Sequence, residues 1–368
     1  MRIATFNVEN LFDRAKALNQ DTWAEGRTIL DRHARVNRLL GEARYTPARK
    51  RAILELLGQL GVAESDEGGP FARLRQVRGR LLRRPRSGPP EVVAEGRADW
   101  IGWVELKTEP VDELAMEHTA MVIRDVAPDV LGVVEAENRI ALDTFSARLL
   151  ERVGATPFPH VMVIDGNDER GIDVGLMART PIGPIRSHVD DADADGEIFS
   201  RDCTEYELAT PAGERLVAMV NHFKSKGYGG ARASAERRRR QAVRVADLYD
   251  ARRAAGDDLV VVVGDLNDTP DSEPLAPLLG GTDLQDIAEH PRFVSDGRPG
   301  TYGNGTKGSK LDYVLLSPAL FDRVTGGGVF RKGVWGGEHG TLWEIYPTMT
   351  AAVHAASDHA ALFADIDV

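Results

Sequence analysis

The residues with the most chemistry to offer sit in short polar motifs, each at the end of an apolar run. In Phe6-Asn7-Val8-Glu9-Asn10, Asn7 and Glu9 are two apart, so on a strand both side chains leave the same face. Glu135 closes the apolar stretch Val133-Val134. Asn221-His222-Phe223-Lys224-Ser225-Lys226-Gly227 sets one imidazole and two ammonium groups where a strand opens into a Gly-containing loop, a plausible grip for phosphate. Gly264-Asp265-Leu266-Asn267-Asp268 repeats the two-apart pattern with Asp265 and Asn267. Leu311-Asp312-Tyr313 and Ser357-Asp358-His359, the latter just before the last apolar run, complete the set. Taken singly, each motif has a bland reading: a solvated carboxylate at a turn, an ordinary strand exit, a satisfied Asp–His pair. Taken together they concentrate carboxylates, imidazoles and ammonium groups at strand ends.

The elements that must position these groups are legible from periodicity. Apolar, β-rich runs at 3–8, 129–136, 160–164, 173–177, 215–223, 259–266, 311–317 and 360–366 predict strands, and apolar recurrence every three to four residues predicts helices at 111–126, 140–153 and 233–255. This is an α/β arrangement. Residues 18–108 depart from it. They separate the first strand from the next clear helix and strand and read as an insertion, with helical spacing at Ile29, Val36, Leu39 and Leu40 and again at Ile53, Leu56, Leu57 and Leu60. Strands are expected there at 91–94 and 100–104.

Composition narrows the classes of function. A chain of 368 residues with 42% hydrophobic content can bury a large core. The single Cys203 has no partner for a disulfide or a thiolate metal cluster and reads as a packing residue. The start has no signal-peptide pattern, and no apolar run approaches the ~18 residues of a membrane span, so a soluble, cytoplasmic chain without membrane contact is expected. The net charge of −11 argues against a surface that attracts polyphosphate everywhere. Nucleic-acid contact would have to be local. Two basic clusters could supply it. Arg73, Arg75, Arg78, Arg80, Arg83, Arg84 and Arg86 lie beside Pro85, Gly88, Pro89 and Pro90 and read as a mobile basic arm or a solvated connector. Arg237 to Arg240 with Arg244 read as the solvated face of an amphipathic helix.

The ordered set of motifs resembles the endonuclease/exonuclease/phosphatase superfamily, which includes deoxyribonuclease I, apurinic-site endonucleases, neutral sphingomyelinases and inositol polyphosphate 5-phosphatases. The matching pieces are Asn7 and Glu9, Glu135, Arg170-Gly171 before Asp173-Val174-Gly175-Leu176, His222, Asp265 and Asn267, Asp312-Tyr313, and Ser357-Asp358-His359. They cover both ends of the chain and the span from about Val111 onward, leaving the insertion outside. The resemblance implies one catalytic domain over 1–368 with a four-layer α/β/β/α sandwich of two facing mixed sheets and outer helices, plus the inserted segment after the first strand. Strand ends from both sheets would meet at one rim.

The same resemblance implies a metal-dependent phosphoesterase. Oxygen donors from Glu135, Asp358, Glu9 and the amide of Asn7 would suit a hard ion, Mg²⁺ or Mn²⁺, and the lack of a Cys or multi-His cluster disfavours zinc. His359 with Asp312 would form an acid/base dyad, and Asp265 competes with it for the role of positioning or deprotonating the attacking water, with Asn267 donating to a phosphate oxygen. His222 would stabilise developing negative charge, Arg170 would hold phosphate or orient a nearby acid, and Lys224 and Lys226 would grip substrate phosphate. Two substrate classes stay open: DNA or RNA for a nuclease or related phosphodiesterase, and a small phosphorylated metabolite, favoured by net acidity and by an insertion able to roof the site. A binding protein without turnover is the third reading. The sequence leaves the oligomeric state open.

Overall fold

The computed structural model describes residues 1–17, 23–168, 170–226 and 230–368, without the side chains of 23–25. Leu18, the expected start of the insertion, and Gly227 lie outside the described residues. The chain forms two compact units: Met1–Phe12 with Val111–Lys226 and Gly230–Val368, and Asp13–Pro110.

The larger unit holds two mixed sheets. In the seven-stranded sheet the order is Phe293–Val294, Val324–Phe330, Ala361–Ile366, Arg2–Asn7, Val130–Ala136, Asp173–Ala178 and His160–Ile164. In the six-stranded sheet it is Ile182–Arg186, Cys203–Ala209, Arg215–His222, Leu259–Asp265, Asp312–Leu316 and Gln285–Asp286. The run Leu259-Val-Val-Val-Val263 shows no polar alternation because it is buried on both faces, as a central, parallel-paired strand should be. Its parallel neighbour Arg215–His222 is joined to it through the helix Ala231–Ala254.

Three apolar layers account for four layers of structure. Ile3, Val130 and Leu176 from the first sheet pack against Ala218, Val261 and Val314 from the second. Leu131 and Val133 on the outer side of the first sheet meet Val122 and Ile123 of the helix Glu113–Val126 and Leu142 and Phe145 of Arg139–Phe145. Val217 and Val262 on the outer side of the second meet Ala242, Val245 and Tyr249. This is the expected α/β/β/α sandwich. At Gly132 the sheets approach so closely that a Cβ would lie 2.6 Å from Val263 Cγ2.

The helices start and stop where local chemistry dictates. Asp112 caps Glu113–Val126 by accepting from the amides of Leu114 and Ala115, and Ala127 ends it in a left-handed conformation. The helix expected at 140–153 is present, running as an α-helix over Arg139–Phe145 that widens to a π-helical segment at Ser146–Leu150. Cys203 is fully buried against the helix layer, as a packing residue should be. Among the described residues, no helix is long and apolar enough to cross a membrane.

The smaller unit has its own core of Val36, Leu40, Ile53, Leu57, Leu74, Trp100 and Val104, built from helices Trp23–Leu40 and Pro47–Gln59 and an antiparallel pair, Ala72–Arg78 with Ile101–Leu106. The arginine-rich stretch, expected as a mobile arm or a solvated connector, is in part a strand: Ala72 and Leu74 alternate inward over Ala72–Arg78, while Arg78, Arg80 and Arg86 are exposed, as a solvated connector would be. Arg73 and Arg75 bind Glu105, Arg83 binds Glu91, and Arg84 reaches Asp66 Oδ1 at 2.6 Å.

The second basic cluster is also corrected. Of Arg237 to Arg240 and Arg244, four are tied down rather than solvated, Arg239 alone of the five pairing only with exposed acids: Arg238 is buried with its Nε 2.9 Å from Asp268 Oδ2, and Arg237 donates to the carbonyls of Ile198 and Phe199. Arg240 and Arg244 bind Asp193 and Asp191. Their long stems let guanidinium groups reach carboxylates and carbonyls in the strands and loops packed against the helix.

Candidate active site

Register puts the chemistry in one row. Across the six-stranded sheet His222 pairs with Asp265 and Asp265 with Asp312, so three strand ends present these side chains at one level. On the other sheet, Asn7 ends the strand Arg2–Asn7 beside Val134, and Glu135 follows on the next strand. The turn before Ala361–Ile366 supplies Asp358 and His359. Among the described residues, five non-glycine residues have positive φ, and four lie here: Glu9, Asn10, Glu135 and Asn267. Such left-handed backbone costs energy and persists only where the surroundings fix it.

Nine of the twelve expected site residues join in one chain of contacts of 3.9 Å or less. Asn7 Nδ2 lies 3.4 Å from Asp265 Oδ2, and His222 Nε2 bridges Glu135 Oε1 at 3.7 Å and Asp265 Oδ2 at 3.8 Å. Asn267 holds Asp265 by its amide at 2.8 Å and its Nδ2 at 3.0 Å. His359 Nδ1 meets Asp312 Oδ2 at 2.7 Å, while its Nε2 faces Asp265 at 3.9 Å and Asp358 at 3.8 Å. Glu9 Oε2 accepts from the Asp358 amide at 3.2 Å. Ser357 stitches the termini together, donating to the Asn7 carbonyl at 2.7 Å and accepting from the His359 amide at 2.9 Å.

Burial and charge set the protonation tendencies. Burial raises Asp265 to about 7, with His359 opposing and Asp312 reinforcing the shift. For His359 burial opposes the charged form, but Asp312, Asp265 and Asp358 together outweigh it and hold the imidazole well above its usual value. His222 goes the other way: burial, then the positive charges of Arg201 and Arg170, keep its imidazole neutral. Two imidazoles on one rim are thus driven in opposite directions by their neighbours.

The other three expected residues stand apart from that chain. Arg170 clamps Asp168 with Nε at 2.8 Å and Nη2 at 2.7 Å, and Lys226 pairs with Asp268 at 2.5 Å. Lys224 is lowered to about 7 by burial, then by Arg201 and Arg170. Sequence reading missed Arg201 altogether. It is buried, lies 2.9 Å from Asp168 Oδ2, and donates to the Phe223 carbonyl at 3.1 Å. Asp168 between two guanidiniums is held far below the usual carboxylate range even though burial acts against it. The one available signal was the polar Ser200-Arg201-Asp202 just before the strand Cys203–Ala209. Tyr302 was missed too: its ring lies 5.0 Å from that of His359, beside Asp358.

The donor set fits a hard divalent cation. Asp265, Asp312 and His359 offer ligand atoms within 4.8 Å of one another, and Glu135, Glu9, Asp358 and Asn7 add oxygens around them. Asp312 Oδ1 is buried with no hydrogen-bond partner among the described residues. A buried cluster of carboxylates with one imidazole is of a kind that can hold a divalent metal ion.

A two-sheet α/β sandwich with an acid–histidine rim at converging strand ends defines a hydrolase-type scaffold. The chain belongs to the endonuclease/exonuclease/phosphatase family, whose model matches residues 110–359. An endonuclease/exonuclease/phosphatase from Bacteroides vulgatus is similar at 17% identity, covering 70% of this chain and 91% of its own, with a TM-score of 0.51. A Bacteroides thetaiotaomicron mannosyl-6-phosphatase matches at 15% identity, covering 69% and 91%, with a TM-score of 0.49. The human Nocturnin catalytic domain with bound sulfate matches at 16% identity, covering 70% and 88%, with a TM-score of 0.47. No curated protein matches the sequence. Members of the family are phosphoesterase hydrolases and generally use divalent metals. The likeness to solved structures extends to the fold.

Proposed function

We propose that this protein is a Mg²⁺- or Mn²⁺-dependent phosphodiesterase, a nuclease or close relative, that hydrolyses phosphate diesters by direct attack of water. The observation that supports this best is the row His222, Asp265 and Asp312 on three adjacent strands, facing Asn7 and Glu135 of the opposite sheet. Glu135, with Asn7, Glu9 and Asp358, would hold the ion, which when bound neutralises charge on the phosphoryl group. Asp265, fixed by Asn267, and His359, fixed by Asp312, are the two groups in position to orient the water and move its proton. Neutral His222 donates from Nε2 to a non-bridging oxygen, since a neutral donor beside Glu135 and Asp265 needs no proton exchange. Arg170 and Lys224 contribute positive charge near the phosphate.

A phosphatase or diesterase for a small phosphorylated metabolite is the second reading. It draws on the net charge of −11 and on the buried Arg201 and part-buried Arg170 clustered on Asp168, which suit a compact anion. The two separate in one assay. With Mg²⁺ or Mn²⁺, a nuclease should cleave bis-p-nitrophenyl phosphate and single- or double-stranded DNA or RNA. Activity on p-nitrophenyl phosphate with no polynucleotide cleavage would overturn the nuclease assignment, and no turnover of any substrate would favour a binding role.

A further inference from the structure

The insertion lies outside the matched family segment and carries charge against the trend of the chain. Residues 72–103 hold eight arginines against Glu91, Glu95 and Asp99, in a protein whose net charge is −11. The strands Ala72–Arg78 and Ile101–Leu106 turn alternate residues to their two faces. Leu74 and Val104 go inward, while Arg73, Arg75, Trp103 and Glu105 share the outer face, with Arg75 directly opposite Trp103 and Arg73 opposite Glu105. Trp103 is 43% exposed, and Val77 and Ile101 at the end of the pair are 66% and 38% exposed.

Arginine pairing decides what this face can attract. Arg75 Nε is held by Glu105 at 2.6 Å, which keeps its side chain on the same face of the strand pair as Trp103. Arg78, Arg80 and Arg86 are exposed and, among the described residues, have no ion-pair or hydrogen-bond partner. A part-exposed aromatic ring on a strand, with one ordered guanidinium opposite it, Arg78 opposite Ile101 at the end of the same pair, and Arg80 and Arg86 exposed in the segment that follows, offers both a stacking surface and phosphate contacts.

We propose that this outer sheet face binds single-stranded nucleic acid, a base stacking on Trp103 while Arg78, Arg80 and Arg86 meet backbone phosphates. In a duplex the base faces are already stacked, so Trp103 would contribute nothing there. A lipid surface fits less well, because inserting Trp103 would carry the Glu105 carboxylate of the same face toward the acyl boundary. The assignment deepens the nuclease reading by naming a single strand as its substrate class, and rests on that reading only for the step from binding to cleavage.

The test separates the two. Fluorescence anisotropy of labelled (dT)20 and (rU)20 is measured with the full chain in EDTA, where binding is read without turnover, and bis-p-nitrophenyl phosphate hydrolysis is measured separately with metal. Trp103→Ala should weaken oligonucleotide binding about 5- to 100-fold, and Trp103→Phe should restore most of it. The triple variant Arg78→Ser, Arg80→Ser, Arg86→Ser should flatten the log–log salt slope by about 2, at roughly 0.7 per lost phosphate contact. All variants should hydrolyse bis-p-nitrophenyl phosphate at the rate of the unchanged protein. The proposal is overturned if Trp103→Ala binds (dT)20 and (rU)20 like the unchanged protein, or if a 20-base-pair duplex or phosphatidylserine vesicles bind as tightly and with the same dependence on Trp103. Oligonucleotide binding that depends on these residues, in a protein that cleaves no diester, would uphold the surface and overturn the nuclease reading alone.

Discussion

Substituting Asp312 and His359, singly and together, tests whether the rim works as a dyad. Asp312 Oδ2 lies 2.7 Å from His359 Nδ1, both residues are buried, and among the described residues Asp312 Oδ1 has no hydrogen-bond partner, so the Oδ2 bond is how Asp312 orients the ring and its Nδ1 proton. His359→Asn is the better probe than alanine because its amide can still donate to Asp312, whereas alanine would strand a buried carboxylate. General acid/base catalysis contributes about 10²–10⁴ in rate, so His359→Asn should lower kcat by that range. Asp312→Asn keeps an acceptor but converts a charge-assisted bond to a neutral one. That difference is about 1–2 kcal/mol, which sets a floor of about 5- to 30-fold on the loss and allows values up to that of the histidine variant. If the pair acts as a unit, the double variant should lose no more than His359→Asn alone. Single-turnover rates on bis-p-nitrophenyl phosphate at saturating Mg²⁺, with thermal melts as a folding control, give the four corners of the cycle. A double variant whose loss equals the product of the single losses would refute the dyad.

Three further outcomes follow from other parts of the molecule. Chelation by EDTA should abolish turnover and Mg²⁺ or Mn²⁺ should restore it, while Glu135→Gln should raise the metal concentration for half-activity with the fold retained; an unchanged metal titration would remove Glu135 from the ligand set. Asp168→Asn leaves buried Arg201 and Arg170 without their shared carboxylate and should cost about 3–5 kcal/mol near pH 7, read by urea unfolding. Because the folded-state pKa of Asp168 is depressed, its stabilisation is present above the unfolded carboxylate value and is lost as pH falls. The gap between the parent and Asp168→Asn should therefore narrow below about pH 4, and a gap constant through that range would contradict the assigned cause. Gly264 has φ +132°, and a Cβ there would lie 1.9 Å from the Asn221 carbonyl oxygen, so Gly264→Ala should destabilise by roughly 3 kcal/mol or more and disturb Asp265 beside it. An unchanged urea midpoint would show that the strand ends yield more easily than this spacing implies.

The sequence by itself determined the strands that carry the rim and the residues at their ends. Unbroken apolar runs such as Leu259-Val-Val-Val-Val263 are readable because a strand buried on both faces leaves no other pattern, and most observed strand ends fall within a residue of the expected ones. It also singled out the nine residues that meet at the rim, since a polar group closing an apolar strand has few other roles. Edge and amphipathic strands such as Ile182–Arg186 and Val324–Phe330 escaped, their mixed composition resembling loop. The tertiary structure alone decided the fate of the arginines. Seven arginines between positions 73 and 86, beside prolines, read as a mobile arm or a solvated connector, but Leu74 had a core to enter and Glu105, Glu91 and Asp66 came within reach of four of them. Likewise Arg238 became a buried tie to Asp268, and Arg201 reached Asp168 across 33 positions of sequence. A guanidinium on a long stem takes whichever carboxylate the fold brings near, and no local pattern in the chain records which one that will be.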